Sequence, residues 1–503
     1  MMYGEEKSDS LIVAANLANN PQGAESVERR SGAKGNAEQP HMRRTQSRES
    51  MSQRLSRVRE AAKQRKKERF TALFHLLTAE ALENAFLSLS RKAAAGVDGV
   101  RWKDYAGNMK NNIADLHRRL HQGSYRAQPG RRHYIPKADG KQRPLGIASL
   151  EDKIVQYALV KILNAVYEND FMGFSYGFRP GRSQHNALDA LATGLVRTNV
   201  NWVLDADISQ FFDKVSHEWL IRFIEHRIGD QRVIRLIRKW LTAGTSEEGE
   251  WRASEEGEWR ASEEGTPQGA VISPLLANIY LHYVFDLWAH QWRRRHATGN
   301  VVMVRYADDI VIGFDKRIDA QCFRIAMQRR LKEFGLTVHP KKTRLMEFGR
   351  FAAENRASRG KGKPETFNFL GFTHISGKDR SGRFMLIRKT RRDRMTATLK
   401  AIKDGLRKRW HYSIPEQGKW LRRVVQGYLN YHSVPGNYPM MRKFRIYVTD
   451  LWRRALRRRS QQDDTTWTKA NRLAAVWLPK VRVLHPWPVE RFTARHPRQE
   501  PGA

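Results

Sequence analysis

The chain has 503 residues, enough for several domains, and 40% are hydrophobic, enough for packed cores. Its 91 Lys and Arg against 52 Asp and Glu leave a formal charge of +39, a balance suited to a polyanionic partner whose counterions it would release. No apolar run approaches the ~20 residues that span a bilayer, no signal peptide is evident, and the single cysteine, Cys322, excludes an internal disulfide and a multi-cysteine zinc site and fits a reducing cytoplasm.

Residues 1–52 are polar and read as a disordered leader, and Met42 and Met51 leave a downstream start open. Gln53 to Phe70 is helical in composition and strongly basic, either a solvated face or a nucleic-acid contact. Residues 71–127 carry Leu, Ala and Phe at helical spacing, broken by the turn Ala95-Gly96-Val97-Asp98-Gly99. Asp139-Gly140 then marks a hairpin turn between two short strands, with Lys137, Lys141 and Arg143 around its tip. Cations placed so suit a triphosphate, or simply make a solvated basic hairpin. A helix follows from Leu150 to about Tyr167, and another starts near Ser183, after Arg179 and Arg182 have flanked Pro180-Gly181.

In WVLDADISQFFD, residues 202–213, a strand begins at Trp202, and alternation puts Asp205 and Asp207 on one face. Phe211 and Phe212 follow; a carboxylate at a strand end beside aromatics can hold a metal and shape a nucleotide pocket. SEEGEWRA occurs at 246–253 and again at 254–261, a duplication expected to lengthen an exposed hairpin loop. Gly265, Pro267 and Gly269 make an irregular loop, where Gln268-Gly269 can approach a base pair. Ser273 at the cap and Pro274 at the first position open the next helix.

The stretch VVMVRYADDIVIGF, residues 301–314, has two β-branched runs flanking Tyr306-Ala307-Asp308-Asp309. It reads as a hairpin of buried strands without the usual Asn-Gly or Asp-Gly turn. Adjacent carboxylates resist joint ionisation unless a cation neutralises them. Mg²⁺ takes oxygen ligands, and two ions about 4 Å apart can clamp a phosphoryl transfer. An amphipathic helix is expected over 319–335, a Gly/Arg/Lys-rich loop over 349–364, and a strand and turn over Phe367 to Ile375. From about Arg391 the chain becomes basic helices with interleaved aromatics, near 392–410, 416–431 and 438–460. Arg442 to Arg459 holds eight Lys or Arg and one acid, so its arginines should face phosphates while Phe444, Tyr447 and Trp452 pack inward. Residues 461–503 read as a short basic docked tail.

The strings AGVDGV, IPKADGKQRPLGIASLEDKIVQ, SYGFRPGRS, DADISQFFDKVSH, GTPQGAVISPLLANIYL, VRYADDIVI and FNFLGF, in this order across roughly residues 80–460, resemble the reverse transcriptase/maturase proteins of bacterial group II introns. The resemblance implies an α+β right-hand polymerase: N-terminal helices and fingers over 53–200, a palm with an antiparallel sheet over 201–380, and a helical thumb or maturase domain over 381–460. It implies that Asp207, Asp308 and Asp309, with the Ile208 carbonyl, hold two Mg²⁺ ions, and that Asp205 is structural. Lys137 and Arg143 would contact the incoming dNTP, Gln268 and Gly269 would line its pocket, and Phe211 or Phe212, with a lean to Phe211, would screen the sugar 2′ position. Leu370, Gly371 and Phe372 would support the primer end. Arg179, Arg182, Arg442, Lys443, Arg453 and Arg457 would bind RNA.

The partners implied are group II intron RNA, an RNA template, a DNA primer or target, and dNTPs, with no membrane. The expected activity is RNA-directed DNA polymerisation together with maturase function in a bacterial cytoplasm. The rivals are an RNA-binding splicing factor without polymerisation, and a domesticated relative serving defence, CRISPR spacer acquisition or repair. Two features depart from the family pattern: the duplication, and a tail without the cysteines of an HNH endonuclease, so that second-strand priming is expected to come from elsewhere.

Overall fold

The computed structural model describes residues 50–136, 142–246, 264–266, 269–459 and 465–495. The hairpin turn with Lys137, Lys141 and Asp139-Gly140, residues 247–263 of the duplication, and Gln268 lie outside them. Helices α1 (Met51–Gln64), α2 (Ala79–Ser88), α3 (Trp102–Ala106) and α4 (Met109–Gln122) lead to strands β1 (Gly130–Pro136) and β2 (Gln142–Ile147). The first basic helix thus ends at Gln64, short of Phe70, which forms a parallel bridge with Ile228. Helix α5 (Leu150–Tyr167) starts on a Ser149 cap and α6 (Gln184–Arg197) on a Ser183 capping box. Strand β3 (Trp202–Asp207) is followed by α7 (His217–Arg227), α8 (Gln231–Thr242) and β4 (Thr245–Ser246).

Helix α9 (Ser273–Leu281) has Ile272 at its cap, so Ser273 and Pro274 fall inside the first turn, one position further in than expected. It runs through a π-helical turn, His282–Asp286, into α10 (Leu287–Arg295). The hairpin β5 (Val301–Tyr306) and β6 (Asp309–Phe314) precedes α11 (Arg317–Glu333), β7 (Arg344–Glu347) and α12 (Ala352–Ala357). Residues 349–364 are therefore not all loop. Strands β8 (Phe367–Phe369), β9 (Phe372–Lys378) and β10 (Phe384–Thr390) lead to helices α13 (Arg392–Arg407), α14 (Ile414–His432) and α15 (Tyr438–Arg457), close to the three expected. The tail carries α16 (Trp467–Trp477) and α17 (Pro488–Arg495). Among the described residues no helix is long and apolar enough to cross a membrane.

The central sheet has four antiparallel strands in the order β5-β6-β3-β7. Its strands β5 and β6 are almost continuously apolar and buried. A second sheet, β2-β1-β4, joins an antiparallel hairpin to a short parallel strand; a third, β10-β9-β8, is antiparallel. One core runs from Ala62 through the central sheet to Phe372, with Val434 and Phe492 added. A second lies among α13 to α16, around Leu421, Val425, Phe444 and Trp452.

Asp230 ties the N-terminal helices to this body. It is buried, caps α8 through Arg232 N at 3.0 Å, and accepts from Leu73 N and Phe74 N, both at 2.8 Å. Asp230→Ala should destabilise the fold by about 2–4 kcal/mol, because it strands buried amides as well as a helix cap. A urea unfolding midpoint unchanged from wild type would contradict that account.

Candidate active site

The register of β5 against β6 pairs Tyr306 with Asp309, leaving Ala307 and Asp308 as a two-residue turn. Ala307 sits at φ +57°, where a side chain carries a steric cost. Buried contacts hold it there. Ala307 O accepts from Arg305 Nη1 at 3.0 Å, and the Ser175–Phe178 segment crosses so closely that a Cβ on Gly177 would lie 2.3 Å from Ala307 N. Arg305 is fully buried. It is paired through two nitrogens with Asp286 at 2.7 and 2.6 Å, and bonded to Ser175 Oγ at 2.6 Å and Asn278 Oδ1 at 3.1 Å. Asn278 in turn donates to Gly177 O at 2.7 Å.

On the neighbouring strand, Asp207 is the cross-strand partner of Asp309, and Asp205 lies opposite both Val311 and Arg344. Cβ atoms of such pairs are about 4.5–5.5 Å apart, so the carboxylates of Asp207 and Asp309 share one patch, with Asp308 at the turn beside them. Asp309 is an exposed residue at the head of β6. Partial desolvation of its carboxyl, then the charges of Asp308, Asp207 and Asp205, push it up to about 7, while Lys342 acts the other way. Asp205 is pushed up to about 6, mainly by burial. The charge repulsion is the part that a cation would relieve.

Lys342 supplies such a cation, its Nζ 2.8 Å from Asp207 Oδ2. It comes from the segment that extends the sheet past β3: His339 N donates to Asp207 O at 2.7 Å, Ser209 N donates to Thr337 O at 2.8 Å, and Ile208 bridges to Val338. Among the described residues no three His, Cys, Asp or Glu side chains are already gathered around one point. The donor set nonetheless fits a hard divalent cation: carboxylate oxygens, mutually repelling, at the exposed end of a rigid sheet.

Around this patch, Phe211 is 3% exposed and packs edge-on against Tyr280, whereas Phe212 is half-buried beside the backbone of Thr266. The lean to Phe211 is therefore corrected: it is a core residue. Gly269 has φ +114°, and a Cβ there would lie 2.9 Å from Gly146 O, so this loop lies against β2. Gln156, the buried amide of α5, holds the loop by accepting from Val271 N at 2.9 Å. Arg143 is on β2 opposite Ile135. Leu370 and Gly371, both at positive φ, form the β8–β9 turn, and Leu370 O accepts from Tyr431 Oη at 2.8 Å. Phe372 is buried and stacks on Tyr431 rather than lying open to a primer.

The expected RNA contacts divide. Arg179 is withdrawn from solvent, paired with Glu168 at 2.9 Å and donating to the Met172 and Ser175 carbonyls. Arg182 donates to the Gly173 and Ser175 carbonyls and lies over the Tyr176 ring. Both shape the segment that backs the turn, a correction to their assignment as RNA contacts. Arg453 pairs with Asp450 at 2.9 Å and covers Trp467. Arg442, Lys443 and Arg457 are exposed. Tyr447, expected to pack inward, is 40% exposed under Lys443. Arg305, Gln156 and Lys342 were missed as site residues. The one available signal was a charged or amide residue inside an apolar run, which Arg305 and Gln156 both are.

Paired carboxylates at the turn and strand end of an antiparallel sheet, in a chain of mixed helices and sheets, are an arrangement a reverse transcriptase domain would need. Residues 135–374 match the family described as reverse transcriptase (RNA-dependent DNA polymerase). Protein YkfC of Escherichia coli K12 is 40% identical over 214 residues, 42% of this chain and 54% of that protein. Group II intron-encoded protein LtrA of Lactococcus lactis subsp. cremoris is 36% identical over 230 residues, 45% and 37% of the two chains. Nuclear intron maturase 2, mitochondrial, of Arabidopsis thaliana is 32% identical over 91 residues, 18% and 12%. The chain thus spans about half or less of the length of these relatives. Residues 135–374 thus resemble a reverse transcriptase domain, and the proteins similar to this stretch include a group II intron-encoded protein and an intron maturase.

Replacing Arg305 with Met would leave Asp286 charged and alone in the core, and should cost about 3–5 kcal/mol. The double variant Arg305→Met/Asp286→Leu should recover much of that loss in urea unfolding. Equal stabilities for the single and double variants would refute the pairing as the source.

Proposed function

We propose that the chain is an RNA-directed DNA polymerase encoded by a group II intron and also acts as a maturase, binding intron RNA to promote splicing and retrohoming. The observation that carries the polymerase reading is the placement of Asp207 opposite Asp309, with Asp308 at the adjoining turn. In this reading the central sheet is the palm, the β1–β2 hairpin belongs to the fingers, and α13 to α15 form the thumb. Asp207, Asp308 and Asp309, with the Ile208 carbonyl, would hold two Mg²⁺ ions, which when bound activate the primer 3′-hydroxyl and stabilise the pyrophosphate leaving group.

The chain's own part is placement. Arg305 and Gly177 fix the turn that carries two of the carboxylates. Lys137 and Arg143 would neutralise the triphosphate. Gly269, lying against Gly146, leaves a close backbone approach for the nucleotide, beside Gln268. Leu370 and Gly371, held by Tyr431, would support the primer end. Positioning and charge neutralisation of this kind are where most of the rate arises. Arg442, Lys443 and Arg457 would meet RNA phosphates, and splicing chemistry would stay with the RNA.

Wild-type protein should extend a DNA primer on an RNA template with dNTPs and Mg²⁺. Chelation by EDTA should stop extension and added Mg²⁺ should restore it. Asp308→Asn/Asp309→Asn should retain roughly 1% or less of the rate. Absence of extension by the wild type, with tight salt-sensitive RNA binding, would leave only the splicing-factor reading.

A second outcome tests the nucleotide pocket. Phe212→Val should raise incorporation of ribonucleotides relative to deoxyribonucleotides by about 10-fold or more. Phe211→Val, in the core, should lower stability without that change in selectivity. The ratio of kcat/KM for dNTP and rNTP reads both, and selectivity moved by Phe211→Val alone would reverse the assignment.

A further inference from the structure

Far along the chain from the carboxylates, the segment Pro479–Trp487 between α16 and α17 runs beside α14 as a strap. It is fixed at several points. Pro479 O accepts from Arg445 Nε at 3.1 Å, Leu484 N donates to Ser433 O at 2.9 Å, and His485 Nε2 hydrogen-bonds to Asn430 O at 2.7 Å. Between strap and helix lies an open cleft of about 760 Å³. Arg422 and Arg423 of α14 stand on one wall, and Lys480 and Arg482 of the strap on the other. No acidic residue lines it among the described residues.

Some cations of the neighbouring surface pair locally: Arg453 and Arg454 with Asp450, and Arg391 with Asp393. Others, such as Arg442 and Arg457 of α15, stand exposed on a convex helix face rather than in a cleft. In the cleft, Arg423, Lys480 and Arg482 are exposed and have no acidic partner among the described residues, and Arg422 has only a long bond to Val476 O at 3.5 Å. Four like charges converge on a concave surface that focuses their field.

The floor carries an independent sign. Gly427 lies on the exposed side of α14, well inside the helix, where glycine lowers stability relative to alanine. Two other helical glycines of this region have packing reasons: a Cβ on Gly405 would lie 2.5 Å from the Trp420 ring, and one on Gly418 would lie 2.5 Å from Trp477. At Gly427 a Cβ would meet nothing within 4 Å. Among the described residues nothing needs the bare backbone there, and it forms part of the cleft.

We infer that this cleft is a binding site for the phosphodiester backbone of a nucleic acid, with the strand passing over Gly427 between the two cationic walls. The inference rests on the reading of this chain as a nucleic-acid-binding protein and adds a surface outside the exposed face of α15. Cations on both walls of an open trough suit a linear polyanion, and the Gln426 and Asn430 amides offer hydrogen bonds to phosphate or sugar.

The test uses the full chain, a labelled 20-nucleotide RNA and a DNA of the same sequence, with anisotropy titrations across KCl concentrations. Arg423→Gln/Lys480→Gln/Arg482→Gln should weaken binding by about 10-fold or more at 0.15 M salt and lower the salt slope by about 2 to 3. Loss for RNA alone, DNA alone or both identifies the source of the backbone. Gly427→Gln keeps the charge and supplies a better helix former, so its melting temperature should rise while its affinity falls. That opposition separates the cleft from the general basic field. Unchanged affinity and slope in the triple variant, or unchanged affinity in Gly427→Gln, overturns the inference. Wild-type primer extension, run in parallel, decides the polymerase reading separately: its failure would leave a positive cleft result standing.

Discussion

The β5–β6 hairpin hangs from a guanidinium that never meets water. Arg305 gathers Asp286 from the π-helical turn, Asn278 from α9, Ser175 from the segment before α6, and the carbonyl of Ala307 itself. Removing two charges from water is costly, and such a pair is weak evidence for stability as such. Its value here is positional. The turn holds an alanine in a left-handed conformation and presents two carboxylates that repel each other, so it would relax if its backing were soft. Each bond of Arg305 closes one way for it to do so.

The same economy of placement recurs where the helical region meets the sheets. Tyr431 of α14 holds the Leu370 carbonyl and stacks on Phe372, so the β8–β9 turn is set by a helix some sixty residues later. Behind it, Asp189 of α6 receives Arg491 from α17 and faces Arg388 of β10 at 3.7 Å. The His185 and His485 rings meet nearby in a tilted pair, and burial, followed by His485 and then the adjoining arginines, holds His185 down to about 3. A neutral imidazole pair fills the space between cations without adding charge. The tail is thus fastened to α6, and the strap that precedes α17 is drawn across α14 with its cleft open.

What the sequence made readable is what local physics decides. The hairpin at 301–314, the Ser149 and Ser183 caps, the helix over 150–167 and the three basic helices all follow from hydrophobic period and capping chemistry, which need no distant partner. The failures are equally physical. Arg179 and Arg182 resemble surface cations in any window of sequence, and only tertiary structure supplies the carbonyls and the Glu168 carboxylate that turn them inward. Phe211 and Phe212 are indistinguishable by composition, and their roles separate only when Tyr280 packs on the first. Arg305 stood in plain view beside Tyr306, but its partner is nineteen residues earlier on another element, and no periodicity links them. Lys342 reaches Asp207 only because 337–339 continue the sheet.

A chain with 91 basic residues nevertheless gathers Asp205, Asp207, Asp308 and Asp309 at one end of one sheet. The contrast has a mechanical consequence. The basic surface attracts phosphates without selectivity, whereas the carboxylate patch repels them until a cation is present. Lys342 neutralises part of one carboxylate and is itself largely exposed, so it can be displaced without disturbing the core. On the proposed reading, a divalent ion arriving with a triphosphate would bring what the patch lacks and what the phosphate needs, and neither would bind as well alone. Under the proposed function, charge opposition between site and surface makes metal, nucleotide and carboxylates a mutually dependent set, while the rigid turn keeps the carboxylates from drifting apart before that set assembles.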